Sequence, residues 1–303
     1  MRFKTFLTLL VLLVFLTFNA FARGESIRES DQQINDFSLA GFGEKGKKTW
    51  DLSAQSADIF PDIVKLKNIV GNLYTEGENI KLTGDKGDFN KREGRVHLEE
   101  NVVITTSSGA KLTTNSLDWD RKNQLVTTKD LVNIERGNIL TIAQGATGEP
   151  NLNKITLEKE VTVKINPQIQ EEKPGVLDKN KIVITCDGPL EIDYEKNIAT
   201  FNNNVKVDMQ DAQICSDKMY AYFVMSDTDT QGTSKTDQAT NMMMGNKIEK
   251  IIARGNVRII RGENISYSDE AIYTAMNKKI VLTGSPRLII YSTQGDFNAS
   301  SGN

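Results

Sequence analysis

Short runs in which every second residue is apolar fill the chain from Ile34 onward. The stretches 161–165 (VTVKI) and 205–209 (VKVDM) are two of them. A period of two is typical of β-strands with one buried face, and the helical spacing of i, i+3, i+4 and i+7 hardly occurs. Glycine, asparagine, aspartate and lysine cluster between the runs, as turns require. The pattern predicts an all-β protein built from antiparallel hairpins.

Two spacings recur along these runs. Intervals of seven and then six residues separate Phe89, Val96 and Val102, and they return 30 residues later at Trp119, Val126 and Val132. An interval of 15 residues links Val102 to Leu117, Val205 to Tyr220 and Val257 to Ile272. Each unit is too small to bury its own apolar face, so the units must stack. The repeat predicts a long sheet with a continuous inner face.

Alternation also assigns side chains to faces. Because neighbouring strand residues point to opposite sides, Ile104 and Trp119 are expected on the inner face, whereas Asp118 and Asp120 are expected on the outer one. An ordinary closed β-sandwich core accounts for the same alternation. The pattern alone therefore does not decide between a dry core and an open trough.

The N-terminus has the layout of an export signal. Arg2 and Lys4 precede an apolar run over residues 6–18, and Ala20-Phe21-Ala22 follows it. Cleavage after Ala22 is one outcome, and retention of residues 6–22 as a membrane anchor is the other, since this length is at the lower limit for a span. Both outcomes place the rest of the chain outside the cytoplasm.

Two irregular stretches interrupt the strands. Residues 166–181 contain two prolines and a charged run, which predicts a linker between domains at 30–165 and 182–303. Residues 226–247 are polar and end in a methionine-rich segment. A loop of that length is uncommon and has no role that the sequence indicates.

Composition excludes several kinds of chemistry. The 37 basic and 40 acidic residues are spread along all 303 positions, so there is no basic footprint for nucleic acid. His97 is the single histidine, which disfavours Ser-His-Asp catalysis. Cys186 and Cys215 lack metal-ligand spacing and are either a disulfide pair or two buried strand residues. We expect no enzyme activity, no cofactor and no metal.

Longer stretches resemble known families. Residues 199–223, 248–260 and 265–290 resemble the OstA/LptA-type domain of periplasmic lipopolysaccharide-transport proteins, through an Ala-x-Gly-Asn-Val-x-Ile pattern, a Ser-Asp-x-x-x-Tyr pattern and Leu-Thr-Gly-x-Pro. Residues 34–60 and 66–126 are similar to the LptC family. The resemblance implies an elongated, open V-shaped antiparallel β-jellyroll, built from repeated hairpin units, whose apolar groove holds the acyl chains of lipopolysaccharide.

The resemblance also implies partners. Such a periplasmic protein would receive lipopolysaccharide from an inner-membrane ABC transporter complex and pair by its edge strands with LptA-type or outer-membrane translocon jellyroll domains. The candidate groove residues are Ile80, Leu82, Phe89, Val102, Ile104, Leu117, Trp119, Val205, Val207, Val257, Ile259 and Ile272. The candidate edge residues are Phe37, Leu39 and Trp50 for the incoming edge and Leu288 and Ile290 for the outgoing one. A secreted structural β-solenoid or adhesin without lipid cargo is the alternative.

Overall fold

The computed structural model describes residues 32–43, 46–74, 79–149, 154–165, 182–224, 247–277 and 279–291. The predicted export segment, the 166–181 linker and all but the last residue of the 226–247 loop lie outside these ranges. The predictions for those three segments therefore stay predictions. The described residues form 17 strands in a single sheet, which confirms the all-β fold class.

Long strands alternate with short turns. They are β1 (Gln32–Phe42), β2 (Lys48–Ile59), β3 (Ile63–Tyr74), β4 (Asn79–Asn90), β5 (Arg95–Thr106), β6 (Lys111–Asp120), β7 (Leu125–Arg136), β8 (Ile139–Glu149), β9 (Lys154–Ile165), β10 (Ile182–Cys186), β11 (Leu190–Asp193), β12 (Ile198–Asp208), β13 (Gln213–Val224), β14 (Lys247–Arg261), β15 (Asn264–Thr274), β16 (Lys279–Thr283) and β17 (Arg287–Ile289).

Each strand pairs antiparallel with its neighbour in the chain from β1 to β9. The short strands β10 and β11 both pair with β9 on one side and with β12 on the other. The meander continues to β15, which pairs with both β16 and β17. Strand pairing therefore continues across the predicted linker, and the exact domain boundaries stay a prediction.

A crease crosses most of the strands near their midpoints. The register shifts there in eight of the strand pairs between β4 and β15, through an extra residue on one strand. Positive φ angles occur along the same line, at Asn68, Glu100, Asn101, Glu160, Asn203, Asn204 and Asn256, as well as at Gly145, Gly188 and Gly255. Bulges of this kind bend a strand, so the crease divides the sheet into two leaves.

The first leaf comprises residues 37–42, 48–54, 69–74, 79–84, 102–106, 111–114, 131–136, 139–143, 161–165, 182–186, 205–208, 213–216, 257–261, 264–268 and 287–289. The second leaf comprises residues 32–35, 56–59, 63–67, 86–90, 95–99, 117–120, 125–128, 146–149, 154–159, 190–193, 198–202, 218–224, 247–254, 270–274 and 279–283.

The two leaves face each other. Trp50 belongs to the first leaf of β2 and Trp119 to the second leaf of β6, yet their ring centroids lie 6.0 Å apart in an edge-to-face arrangement. Four strand spacings along the sheet would separate β2 from β6 by about 19 Å. The rings therefore meet across the space between the leaves.

The inner face, meaning the side that the two leaves turn toward each other, carries two hydrophobic clusters. The N-terminal cluster is built from β2 to β6, and the C-terminal cluster from β7 to β15. Buried Thr114 and Thr128 lie between them, with hydroxyl oxygens 3.4 Å apart. Val163 and Ile184 are paired within the C-terminal cluster, so this cluster extends on both sides of the predicted linker.

Candidate functional site: the inner face and the sheet edges

Most of the predicted groove residues lie on the inner face. Leu82, Phe89, Val102, Ile104, Leu117 and Trp119 belong to the N-terminal cluster, and Val205, Val207, Val257 and Ile259 belong to the C-terminal cluster. Ile80 pairs with Leu73, which packs against the N-terminal cluster. The fold thus collects these side chains on one side of the sheet, as period-two alternation requires.

Ile272 lies on the outer face instead. It pairs with Ile252 and Val281, whereas the inner positions of β15 on the second leaf are Ala271 and Tyr273. The reason is the length of the hairpin turn. Val102 pairs with Thr114, whereas Val257 pairs with Ser268. The second hairpin is therefore one residue shorter, and the 15-residue interval reaches the opposite face of the sheet. Tyr220 is on the outer face for the same reason.

The predicted edge residues fall on different kinds of strand. Phe37 and Leu39 lie on β1, which pairs only with β2 among the described strands. Trp50 lies on β2, which is paired on both sides, so it is an interior position. Leu288 lies on β17 and Ile290 directly follows it, and their side chains are 63% and 66% exposed.

The inner face is covered along most of its length. Leu98, Val132 and Leu157 are completely buried, whereas Ile34 on β1 is 38% exposed and Ile280 on β16 is 45% exposed. Two depressions of the described part hold about 170 and 220 Å³, and a pocket for a drug-sized ligand typically measures about 300–1,000 Å³. The protein's own side chains therefore fill the middle of the inner face, and the apolar surface becomes accessible toward both end strands.

Neither of these depressions is centred on a hydrophobic cluster. One lies between the strand ends around Tyr74, Ile80 and Thr106, and the other lies at the crease around Glu160, Cys186 and Asn204. Both are lined by a mixture of polar and apolar residues. They do not form a continuous channel along the described strands.

The titratable groups of the described residues make contacts within and between strands. His97 Nδ1 lies 2.9 Å from Asp118 Oδ1, with both side chains well exposed to solvent. In the described ranges, no group of three or more His, Cys, Asp or Glu side chains is arranged to hold a metal ion. Neither observation identifies a catalytic centre.

The two cysteines are free thiols. Cys186 belongs to the C-terminal cluster on the inner face, and burial raises the pKa of its thiol because desolvation disfavours the thiolate. Cys215 pairs with Lys206, which places it on the outer face beside Arg258. The two side chains lie on opposite sides of the sheet, so the structure does not contain the disulfide that the sequence left open.

In the part of the chain that the structure describes, no helix is long and apolar enough to cross a membrane. The possible anchor at residues 6–22 is outside that part.

Comparisons with protein families match both halves of the chain. Residues 6–166, more than half of the chain, match the model of the LptC-related lipopolysaccharide-assembly family. Residues 187–303 match the model of the LptA/(LptD N-terminal domain) lipopolysaccharide-transport proteins. A search among curated proteins finds no match to the chain.

The order of the two matches agrees with the order of the two resemblances in the sequence, and the long antiparallel sheet has the all-β character of these transport proteins. The chain therefore belongs to the LptC-related lipopolysaccharide-assembly family and continues into a domain of the LptA/LptD N-terminal type.

Proposed function

We propose that this protein is a periplasmic component of a lipopolysaccharide-transport bridge and that it carries the acyl chains of lipopolysaccharide along its inner face. The observation that carries the proposal is the run of apolar inner-face residues from β2 to β15 on both leaves. The family matches support the transport role. The protein would receive its cargo from an inner-membrane ABC transporter complex.

The hydrophobic effect makes such a surface suitable for acyl chains. Burial of each CH₂ group is worth about 0.8 kcal/mol, so a chain of about ten such groups gains about 8 kcal/mol when it leaves water. Val, Ile, Leu and aromatic side chains offer that environment without any bond being made or broken. We therefore propose a carrier that has no enzymatic activity.

Cargo entry requires the leaves to separate. Side chains such as Leu98 and Leu157 are completely buried, so acyl chains have to displace contacts between the leaves before they reach them. Entry would begin at the end strands, where Ile280 is already partly exposed. The covered interior is also what a structural β-solenoid would have, and this keeps that alternative as the second candidate.

The sheet edges would make the contacts to partner proteins. An edge strand presents unpaired backbone groups, and β-augmentation uses them to add a strand of another protein. We propose β1, with Phe37 and Leu39, as the incoming edge and the segment from Leu288 to Tyr291 as the outgoing edge. LptA-type or outer-membrane translocon domains are the proposed partners at the outgoing edge.

Mass spectrometry of lipids extracted from the purified full-length protein tests the carrier role. We expect lipopolysaccharide to co-purify from a Gram-negative host and to be retained after detergent-free gel filtration. A sealed structural solenoid would release no lipid in the same extraction, and that result would exclude the carrier role.

A further inference from the structure

Arg121 is a cation enclosed by aromatic rings. It lies in the turn between β6 and β7, and its guanidinium carbon is 4.1 Å from the ring centroid of Trp50 and 5.4 Å from that of Phe89. Distances below about 6 Å are those of cation–π contacts. Trp119 stands edge-to-face against Trp50. We call these four residues the aromatic cage.

The guanidinium lacks the partners that a buried arginine usually has. Its Nε atom is buried and has no hydrogen-bond partner. No ion pair joins Arg121 to a carboxylate in the described ranges. Burial lowers the pKa of the Arg121 guanidinium through desolvation, but an arginine stays charged at neutral pH. The unpaired Nε carries a desolvation cost, and a half-buried cation without a carboxylate partner would be stabilised by an anion.

The neighbouring carboxylate does not supply that partner. Asp120 accepts hydrogen bonds from the backbone N–H groups of Lys122 and Asn123 and from the Asn123 side chain. Its second oxygen also faces Arg95, at 3.9 Å. Asp120 therefore caps the turn, and the charge of Arg121 remains available to another anion.

The aromatic cage lies where the margins of the two leaves meet. Trp50 is close to the start of β2 on the first leaf, and Phe89, Trp119 and Arg121 are close to strand ends on the second leaf. The Trp50 ring lies 4.1 Å from the guanidinium carbon and covers one side of the group. Arg121 is only half-buried, and the N–H groups at the edge of a guanidinium form the fork geometry that binds phosphate oxygens in pairs.

We propose that Arg121 binds a phosphate-type anion at the margin between the leaves. This anion is a headgroup phosphate of the lipid, and the acyl chains of the same lipid enter the inner face beside it. The headgroup assignment rests on the proposed carrier role. Charge at the margin and hydrocarbon on the inner face would then orient the lipid. Free phosphate is the other source of the same chemistry.

Tryptophan fluorescence offers a local probe, because the chain has only two tryptophans and both lie in the aromatic cage. The full-length protein is titrated with pyrophosphate. We expect a saturable change in fluorescence for the wild type and binding weaker by about tenfold for Arg121→Gln, the loss typical of a charge-assisted hydrogen bond. Arg95→Gln is the matched control, since it removes a nearby positive charge that already has the carboxylate partners Glu93 and Asp120. Equal titrations of the wild type and Arg121→Gln, or a wild type without response, would overturn the anion site.

A second arm identifies the source of the anion. Binding of phosphorylated lipid A and of enzymatically dephosphorylated lipid A is compared in the wild type and the Arg121 variants. We expect Arg121→Gln to weaken the binding of phosphorylated lipid A and to leave the binding of dephosphorylated lipid A unchanged. Arg121→Lys keeps the positive charge and should lose an intermediate amount of affinity for phosphorylated lipid A. It also serves as the test variant if Arg121→Gln does not fold. Pyrophosphate binding without any phosphate preference for lipid would contradict the headgroup assignment and leave a site for free anions.

The two arms also separate this inference from the carrier role. Lipid binding that ignores both phosphate and Arg121 would refute the headgroup assignment and leave the carrier role in place. Arg121-dependent binding of pyrophosphate by a protein that binds no lipid would refute the carrier role and support the anion site.

Discussion

At the scale of single residues, one contact joins the two leaves near their margins. Trp50 packs against Trp119 of the opposite leaf and against Arg121 in the turn that follows it, and it lies directly over Gly41 of β1, with which it is paired. The absence of a side chain at Gly41 leaves room for the indole ring. The contact between the leaves therefore depends on a glycine in an edge strand.

Substitution of Gly41 by alanine should displace Trp50, because the added Cβ would collide with the indole ring. We expect a loss of about 1–3 kcal/mol in the free energy of unfolding, the usual cost of overpacking. Urea unfolding followed by tryptophan fluorescence measures it. Gly148→Ala is the control, since its Cβ would meet only an ordinary contact with Val126. Equal effects of the two substitutions would show that Trp50 is not held over Gly41.

Asp51 should contribute a pH-dependent part of the stability. Burial would raise the pKa of its carboxyl, but hydrogen bonds from Asn72 at 2.7 Å, from Tyr74 at 2.9 Å and from Lys48 outweigh burial and lower it. The folded pKa then lies below the unfolded value of about 3.9. The stabilisation is present above that value and is lost as the pH falls through the folded pKa.

Thermal unfolding between about pH 5 and pH 2 measures this contribution. We expect Asp51→Asn to reduce the fall in melting temperature over that range, by a small amount because the network is close to solvent. Asp211→Asn, which removes an exposed carboxylate in the turn after β12, is the matched control. A profile of Asp51→Asn identical to the wild type would contradict the role of the hydrogen bonds.

At the scale of the strand, the crease is what turns a flat meander into two facing leaves. Asparagines with positive φ follow it across β3, β5, β12 and β14, and asparagine tolerates this left-handed conformation better than other residues with a side chain. Side-chain amides also bridge neighbouring strands there. Asn101 donates to Asp85 at 2.6 Å, and Asn256 donates to Asp217 at 2.8 Å.

Asn204 tests the crease directly, since its side chain is exposed and its φ is 52°. We expect Asn204→Val to reduce the free energy of unfolding by about 1–2 kcal/mol, the cost of the left-handed conformation for an L-residue. Asn204→Gly should be neutral or slightly stabilising, because glycine adopts this conformation readily. Denaturant titration of both variants gives the comparison. Equal free energies of unfolding for the valine and glycine variants would show that the backbone conformation at Asn204 does not determine stability.

The outgoing edge can be tested by proline, which removes a backbone donor from the strand. We expect Leu288→Pro to abolish capture of an LptA-type domain in a pull-down and to leave lipid extraction from the protein unchanged. Met276→Pro is the control, because Met276 lies in the turn between β15 and β16 and is 93% exposed. Unchanged capture by Leu288→Pro would refute the edge assignment.

The sequence predicted the strands and most of the inner face because alternation is a local property that each strand carries by itself. It failed for Ile272, since a turn shorter by one residue reverses the face and repeat spacing does not report turn length. It placed Trp50 on an edge because the outer pairing partner of β2 cannot be read from composition. The sequence also did not indicate a binding role for Arg121, because its contact with Trp50 forms only when the leaves fold over each other.

At the scale of the whole molecule, one sheet carries both family-matched regions. The N-terminal and C-terminal clusters meet at Thr114 and Thr128 between β6 and β7, well before the predicted linker. The two regions therefore share an inner face instead of enclosing separate cores at that linker. An acyl chain moving along this face would pass from one region to the other without entering water.

Site-specific photo-crosslinking to lipopolysaccharide tests that central claim most directly. Ile259 and Ile260 are adjacent, identical in type and similarly half-buried, but only Ile259 packs against the C-terminal cluster. Ile104 and Val103 form the equivalent pair beside the N-terminal cluster. Acyl-chain crosslinks at Ile259 and Ile104, with little at Ile260 and Val103, are the predicted result. Equal crosslinking on both faces, or none at the inner positions, would contradict it.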